Sequence, residues 1–254
     1  MNLLIVFAAS VAVIVMVHGT TFLIARRIGR YNIVDITWGL GFVAVAAVAA
    51  ILGDGDLLRR LLLLALTAVW GLRLAWHMYV KTKGHGEDPR YRDLLAGNLS
   101  PGNVIRKIFG TQAIATLFIA APLVLSATQG PGPSVVMGIG VAVWLAGLIF
   151  EALGDHQLRA FKGDPANKGK IMDRGLWSWT RHPNYFGDAC VWWGLWLVSI
   201  TGWVSLATVV SPVVMTYFLV HVTGARLTER YMKDRPGFRE YCTRTSYFVP
   251  LPPK

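Results

Sequence analysis

Arg174-Gly175-Leu176-Trp177-Ser178-Trp179-Thr180-Arg181-His182-Pro183-Asn184-Tyr185-Phe186-Gly187-Asp188 leads directly into an apolar run that extends to residue 201. Charged and hydrogen-bonding groups at the threshold of such a run belong at a bilayer surface, because deeper in hydrocarbon they are costly. The tract reads either as an interfacial anchor, with arginines snorkelling to headgroups, or as a polar ligand site at the membrane boundary. Outward from it the chain has the same character. With 54% hydrophobic and only 15% charged residues, its 254 residues are too apolar for an ordinary soluble domain.

A hydrocarbon core about 30 Å thick needs roughly 20 helical residues. Runs suited to that task lie at 3–24, 33–52, 57–80, 104–127, 134–154, 186–201 and 203–223, and they predict an all-α, polytopic membrane bundle of about seven transmembrane helices within one integral-membrane domain, 1–254. The sixth run is short and joined to the seventh by little more than Thr201-Gly202, so the two also read as one bent hairpin.

The net charge of +11 would point to nucleic acid in a soluble chain, but here the basic residues alternate between loops. With the N-terminus outside, all but Arg59, Arg60 and Arg73 of the 25 Lys and Arg residues face the cytoplasm, together with the C-terminus. The reading is a multi-pass membrane protein with no nucleic-acid partner. No basic residue precedes the first apolar run, so that run is expected to stay as a span. Cys190 and Cys242 lack the spacing of a zinc, haem or redox site, and no metal is expected.

The longer polar segments, 81–103, 155–185 and 224–254, all fall on the cytoplasmic side, and they hold the candidate chemistry. Glu151, Asp155 and Arg159 recur at i, i+4 and i+8, which is either an ion-pair ladder or a pair of carboxylates for a ligand's hydroxyls. Lys162, Lys168, Lys170 and Arg174 follow in a Gly- and Pro-containing loop, suited to phosphate. Pro183 can begin a helix that sets Asn184 and Asp188 one turn apart; Asn184 offers both donor and acceptor, as a carboxamide such as nicotinamide requires. In the N-terminal half, Asp35 sits just inside the second span, and Arg73 and His77 share one face of the third; an Arg within a span needs a polar cavity or a partner, and Asp35 is the expected partner. Gly84-His85-Gly86-Glu87-Asp88-Pro89-Arg90-Tyr91 reads as a solvated loop or a cofactor lid.

Together these residues resemble the steroid 5-alpha-reductase superfamily, and most closely its bacterial membrane-protein branch. Asp155-His156-Gln157-Leu158-Arg159, Gly175-Leu176-Trp177 and Asn184-Tyr185-Phe186-Gly187-Asp188 match the family's order, as do Asp35 to Phe42, Trp70 to Arg73, Gly86-Glu87-Asp88 with Arg90-Tyr91, and Arg244 to Pro250. The resemblance implies a seven-helix NADPH-dependent reductase in a bacterial inner or plasma membrane. It would reduce a C=C bond conjugated to a carbonyl in a lipid or steroid-like substrate. A substrate-side half, 1–127, would carry catalytic Asp35 and Arg73, and a cofactor half, 128–254, would bind NADPH. The cofactor residues so implied are Glu151, Asp155, Arg159, Lys162, Lys170, Arg181, His182, Asn184, Tyr185, Asp188, Glu229 and Tyr231. The match departs at Thr223 and Leu227, where the steroid enzymes carry Arg and His. The same Arg181-His182-Pro183 tract, with Glu229-Arg230-Tyr231, is also similar to isoprenylcysteine carboxyl methyltransferases, which bind S-adenosylmethionine. A non-enzymatic lipid-binding or transport protein is the third reading.

Overall fold

The computed structural model describes residues 1–253. The helices in chain order are α1 (Asn2–Ile28), α2 (Val34–Leu52), α3 (Leu57–Thr82), α4 (Pro89–Leu95), α5 (Pro101–Val104), α6 (Gly110–Ile119), α7 (Ala121–Ser126), α8 (Ser134–Gly163), α9 (Leu176–Trp179), α10 (Pro183–Ser199), α11 (Trp203–Leu206), α12 (Val210–Tyr217), α13 (Ala225–Met232) and α14 (Phe238–Arg244). Among the described residues the only β pairing is an isolated parallel bridge between Thr180 and Ser246. Among the described residues five helical stretches are long and apolar enough to cross a membrane: α1, α2, α3, α8 and the run Trp203–Met232.

The run expected as a fourth span is built differently. It is divided into α5, a π-helical segment Ile105–Phe109, α6 and α7. The break at Ala120 has a local cause, because Pro122 has no N–H to continue the ladder and its ring crowds the carbonyl four residues back. The 17 residues of α10 rise about 26 Å, less than the roughly 30 Å of a hydrocarbon core. Its exit is a tight corner in which the Ser205 hydroxyl oxygen accepts the N–H groups of Thr201 at 2.9 Å and Gly202 at 3.0 Å. That corner fits the hairpin alternative.

The chain forms two compact units, Met1–Ser134 with Ser199–Ser211, and Val135–Val198 with Pro212 onward. In the first, α2 and α3 approach through facing glycines: a Cβ on Gly71 would stand 2.7 Å from the Gly39 carbonyl oxygen. At one end Phe22, Tyr31, Val34, Tyr91, Leu95 and Phe109 form an apolar cluster, with Phe22 and Phe109 edge to face at 5.4 Å. Beside it the Glu87 carboxylate accepts the N–H groups of Tyr31 at 2.5 Å and Asn32 at 3.0 Å, satisfying donors at the entrance to α2.

In the second unit α8 and α10 pack through glycines spaced by seven, Gly140, Gly147 and Gly154 against Gly187 and Gly194. Small residues at this spacing let two backbones come close along a continuous seam. The connection between these helices is locked by Gly175, whose φ of 59° favours glycine and whose position leaves no room for a Cβ beside Gln157. Gln157 in turn accepts the Leu176 N–H at 3.0 Å. The C-terminal residues fold back on the same connection: Tyr241 donates to the Trp177 carbonyl at 2.6 Å, Thr180 to the Phe248 carbonyl at 2.8 Å, and the Leu251 N–H to the Trp179 carbonyl at 3.0 Å.

Candidate functional site

In the first unit the segment expected as a solvated loop or lid is exposed and non-helical at residues 84–86, and from Asp88 onward it becomes an ordered helix start. Asp88 caps α4 by accepting the Arg90 N–H at 2.9 Å, and Pro89 occupies the first turn. This turns Tyr91 inward, where it is only 8% exposed. The Tyr91 hydroxyl donates to Asp35 Oδ1, and Gln112 Nε2 on α6 donates to that hydroxyl at 3.4 Å. Arg90 Nη2 bridges the two carboxylates, at 2.8 Å from Asp88 and 3.4 Å from Asp35. Asp35 therefore takes its ion pair from Arg90, not from the Arg73 that its position in the second span suggests. Arg73 and His77 lie half-buried on α3.

Electrostatics keep this cluster ordered. Burial first, then the Asp35 carboxylate, push the Tyr91 phenol well above the usual tyrosine range, so it remains an O–H donor. Burial opposes the charge on Asp88, yet the hydrogen bonds and charge of Arg90 prevail and hold its carboxyl below the usual range. A buried neutral phenol beside a carboxylate and a guanidinium is a proton donor with its orientation fixed. The sequence marks Arg90 and Tyr91 only as part of the loop or lid and of the family resemblance, without a site role, and gives no sign of Gln112; the Asp88-Pro89 helix-start signal is the clue to how Arg90 and Tyr91 are oriented.

In the second unit the residues expected to bind cofactor separate into three groups. Arg181, His182 and Glu229 form one cluster: Arg181 Nε donates to Glu229 at 2.7 Å, His182 Nε2 lies 3.1 Å from the same oxygen, and Arg181 also donates to the Thr245 carbonyl at 2.8 Å. Tyr185 stacks on His182, and the Arg181 guanidinium lies over the Tyr247 ring at 5.2 Å. This knot ties α13 and the tail to the start of α10. Glu151, Asp155, Asn184 and Asp188 form the second group along the α8–α10 seam. Three of them are buried, and Asn184 Nδ2 donates to Asp155 at 3.1 Å. Asn184 Oδ1 is buried without a protein donor, so it can accept from a carboxamide N–H. The third group, Arg159, Lys162 and Lys170, is exposed, as is Tyr231. Burial of the carboxylates with exposure of Arg159 is not the ladder that their i, i+4, i+8 spacing allows.

Burial lowers the pKa of His182 below its ordinary 6.5, against the opposing pull of Glu229. A base depressed in the folded state gives stability that is complete above 6.5 and is lost as pH falls, because the unfolded chain takes up the proton first. Replacing His182 with Gln is expected to flatten this acid limb in thermal unfolding of detergent-solubilised protein. An unchanged slope would exclude His182 as its source.

Residues 21–245 match the model of the family described as protein of unknown function, DUF1295. The chain belongs to this family. It is also similar to 3-oxo-5-alpha-steroid 4-dehydrogenase 1 of Rattus norvegicus, 25% identical over 44% of this chain and 40% of that protein, and of Macaca fascicularis, 28% identical over 44% and 40%. The probable O-methyltransferase ustE of Ustilaginoidea virens is 27% identical over 52% of this chain and 43% of that protein. The chain thus spans about two fifths of the length of the curated relatives it matches. No solved structure matches. The family match and the steroid-enzyme relatives bear out the resemblance seen in the sequence.

Proposed function

We propose that this protein is a membrane-embedded, NADPH-dependent reductase of a C=C bond conjugated to a carbonyl, acting on a lipid or a 3-oxo-steroid-like molecule drawn from the bilayer. The observation that carries this reading is the buried Tyr91–Asp35 pair, with Arg90 and Gln112 around it. Methyl transfer makes no evident use of a fixed phenol donor of this kind.

Bound NADPH would supply the hydride for the β carbon. As negative charge develops on the carbonyl oxygen, the Tyr91 hydroxyl turns from Asp35 and gives its proton to that oxygen, while Gln112 Nε2 and the Arg90 charge stabilise the phenol oxygen. A proton from water then completes the α carbon as the enol returns its proton to the Tyr91 oxygen, and the restored hydroxyl turns back to Asp35. Exclusion of water from this buried cluster strengthens each of these interactions. For the cofactor, Asn184 Oδ1 fits the carboxamide, and exposed Lys162 and Lys170 fit the phosphates. Asp155 and Asp188 line the same seam, and Tyr185 is held by the Arg181–His182–Glu229 knot. In this reading the helices cross the membrane seven times, α10 and the broken segment 101–126 included, with the N-terminus outside and the C-terminus cytoplasmic.

Titration of purified protein with NADPH and, separately, with S-adenosylmethionine tests the reading. NADPH binding is expected, weakened at least tenfold and made less salt-dependent by the double substitution Lys162→Ala, Lys170→Ala. Binding of S-adenosylmethionine alone would instead favour the second reading, a membrane methyltransferase, which the similarity to the O-methyltransferase supports.

A further inference from the structure

Residues 30–32, in the turn between α1 and α2, each bond to the segment that leaves α3. Arg30 Nη2 donates to the Thr82 carbonyl at 2.9 Å, the Tyr31 and Asn32 N–H groups donate to the two oxygens of the Glu87 carboxylate, and Asn32 Nδ2 donates to the Gly86 carbonyl at 3.1 Å. Glu87 Oε1 also accepts the Asp88 N–H at 3.1 Å. Three backbone donors thus converge on one side chain, while Gly84, His85 and Gly86 just before it are exposed. Asn32, by contrast, is only 3% exposed.

This clamp sets the spacing of the donor pair. Asp35 follows Asn32 by three residues, and its N–H donates to the Asn32 carbonyl at 3.2 Å; Tyr91 follows Glu87 by four, and its N–H donates to the Asp88 carbonyl at 3.0 Å. Each partner of the Tyr91–Asp35 hydrogen bond therefore stands about one helical turn beyond its own end of the clamp. The seven residues of α4 are too few to form a stable helix unaided. Apolar burial of Tyr91 and Leu95 holds α4 down, but such burial is non-directional and does not choose the register in which the hydroxyl meets the carboxylate. Hydrogen bonds do. A carboxylate suits the position because both its oxygens only accept; a carboxamide of the same shape would turn an NH2 group against one of the converging N–H groups.

We propose that Glu87 is a positioning residue of the donor site: by holding the α1–α2 turn against the start of α4, it sets the Tyr91 hydroxyl on Asp35, ready for the carbonyl oxygen that it protonates. The consequence for rate rests on the reductase reading. The consequence for Tyr91 itself does not, and it can be measured alone.

Glu87→Gln is expected to lower kcat for enone reduction by about 10- to 100-fold with KM for NADPH unchanged, since a misplacement of about 1 Å can cost about 10²-fold. In a Tyr91→Phe background the same substitution should cost less than about twofold, because no hydroxyl remains to be misplaced. Fluorine NMR of the full chain labelled with 3-fluorotyrosine, in nanodiscs without NADPH, reads the position directly. The resonance that disappears in Tyr91→Phe is expected to move toward that of exposed tyrosines in Glu87→Gln. Asn32→Ala removes only the Gly86 contact and should move both readouts the same way by less; it decides the matter if Glu87→Gln does not fold. Melting temperature and elution volume establish which variants are folded. A Glu87→Gln protein that is merely less stable, with the Tyr91 resonance and kcat per folded molecule at wild-type values, overturns the proposal, as does an equal loss of rate in the Tyr91→Phe background. A displaced Tyr91 resonance in a protein that never transfers hydride from NADPH would keep Glu87 as the residue that places Tyr91 and remove the reductase reading.

Discussion

Replacing Tyr91 with Phe is expected to slow enone reduction by about 10²- to 10⁴-fold, the range that a positioned proton donor contributes. NADPH affinity should not change, because the residues assigned to the cofactor are in other helices. The substitution keeps the ring in the Phe22–Phe109 cluster and removes one oxygen, which leaves Asp35 with one donor fewer. The stability cost is expected to be about 1–3 kcal/mol. Asp35→Asn separates the two roles of that carboxylate: the amide oxygen can still accept from Tyr91, but Arg90 loses a charged partner. A smaller loss of rate is expected than for Tyr91→Phe. Because burial keeps Tyr91 protonated well above the usual tyrosine range, the rate should not fall on its account as pH rises from neutral through that range. The measurement is transfer of deuterium from deuterated NADPH to the β carbon. A Tyr91→Phe protein that transfers deuterium at the wild-type rate removes Tyr91 from the mechanism.

Much of this architecture is legible in the sequence, and the exceptions have identifiable causes. Apolar runs mark α1, α2, α3 and α8 because hydropathy over about 20 residues depends little on tertiary context. The same window cannot see that Pro122 breaks the fourth run, since a proline changes backbone geometry far more than it changes mean hydropathy. Pro183 starting α10, and Asn184 one turn from Asp188, follow from helix-start chemistry and helical spacing. The Asp35–Arg90–Tyr91 cluster does not, because it joins residues 55 and 56 positions apart. Arg73 stands out as the intramembrane cation, while Arg90 is hidden in a segment whose Gly, Asp and Pro content resembles a solvated loop. Asp88-Pro89 carries the correct signal, a capped helix start, which orients the two residues after it.

The α8–α10 seam offers the sharpest test of the second unit. A Cβ on Gly147 would stand 2.6 Å from the Gly187 carbonyl oxygen and from the Val191 nitrogen, and 2.8 Å from Cys190 Cβ. Two of those three atoms are backbone, so no rotamer change can relieve the clash, and the helices themselves must separate. Gly138 lies on the same helix, and a Cβ placed on it would have no neighbour within 4 Å, which makes it the matched control. Gly147→Leu and Gly138→Leu add the same apolar side chain to the same helix, so membrane insertion is affected alike. Overpacking in a core costs about 1–3 kcal/mol, and more where the opposing atoms cannot yield. Against a total stability of about 5–15 kcal/mol that is a large fraction, so Gly147→Leu is expected to melt well below the wild type and to be recovered in lower yield. Gly138→Leu should elute and melt like the wild type. Separation of the seam would also part Asn184 from Asp155, so any Gly147→Leu protein recovered should bind NADPH weakly. If it elutes as a single species with unchanged melting temperature and cofactor affinity, the close helix approach is wrong, and with it the placement of Glu151, Asp155, Asn184 and Asp188 along one line.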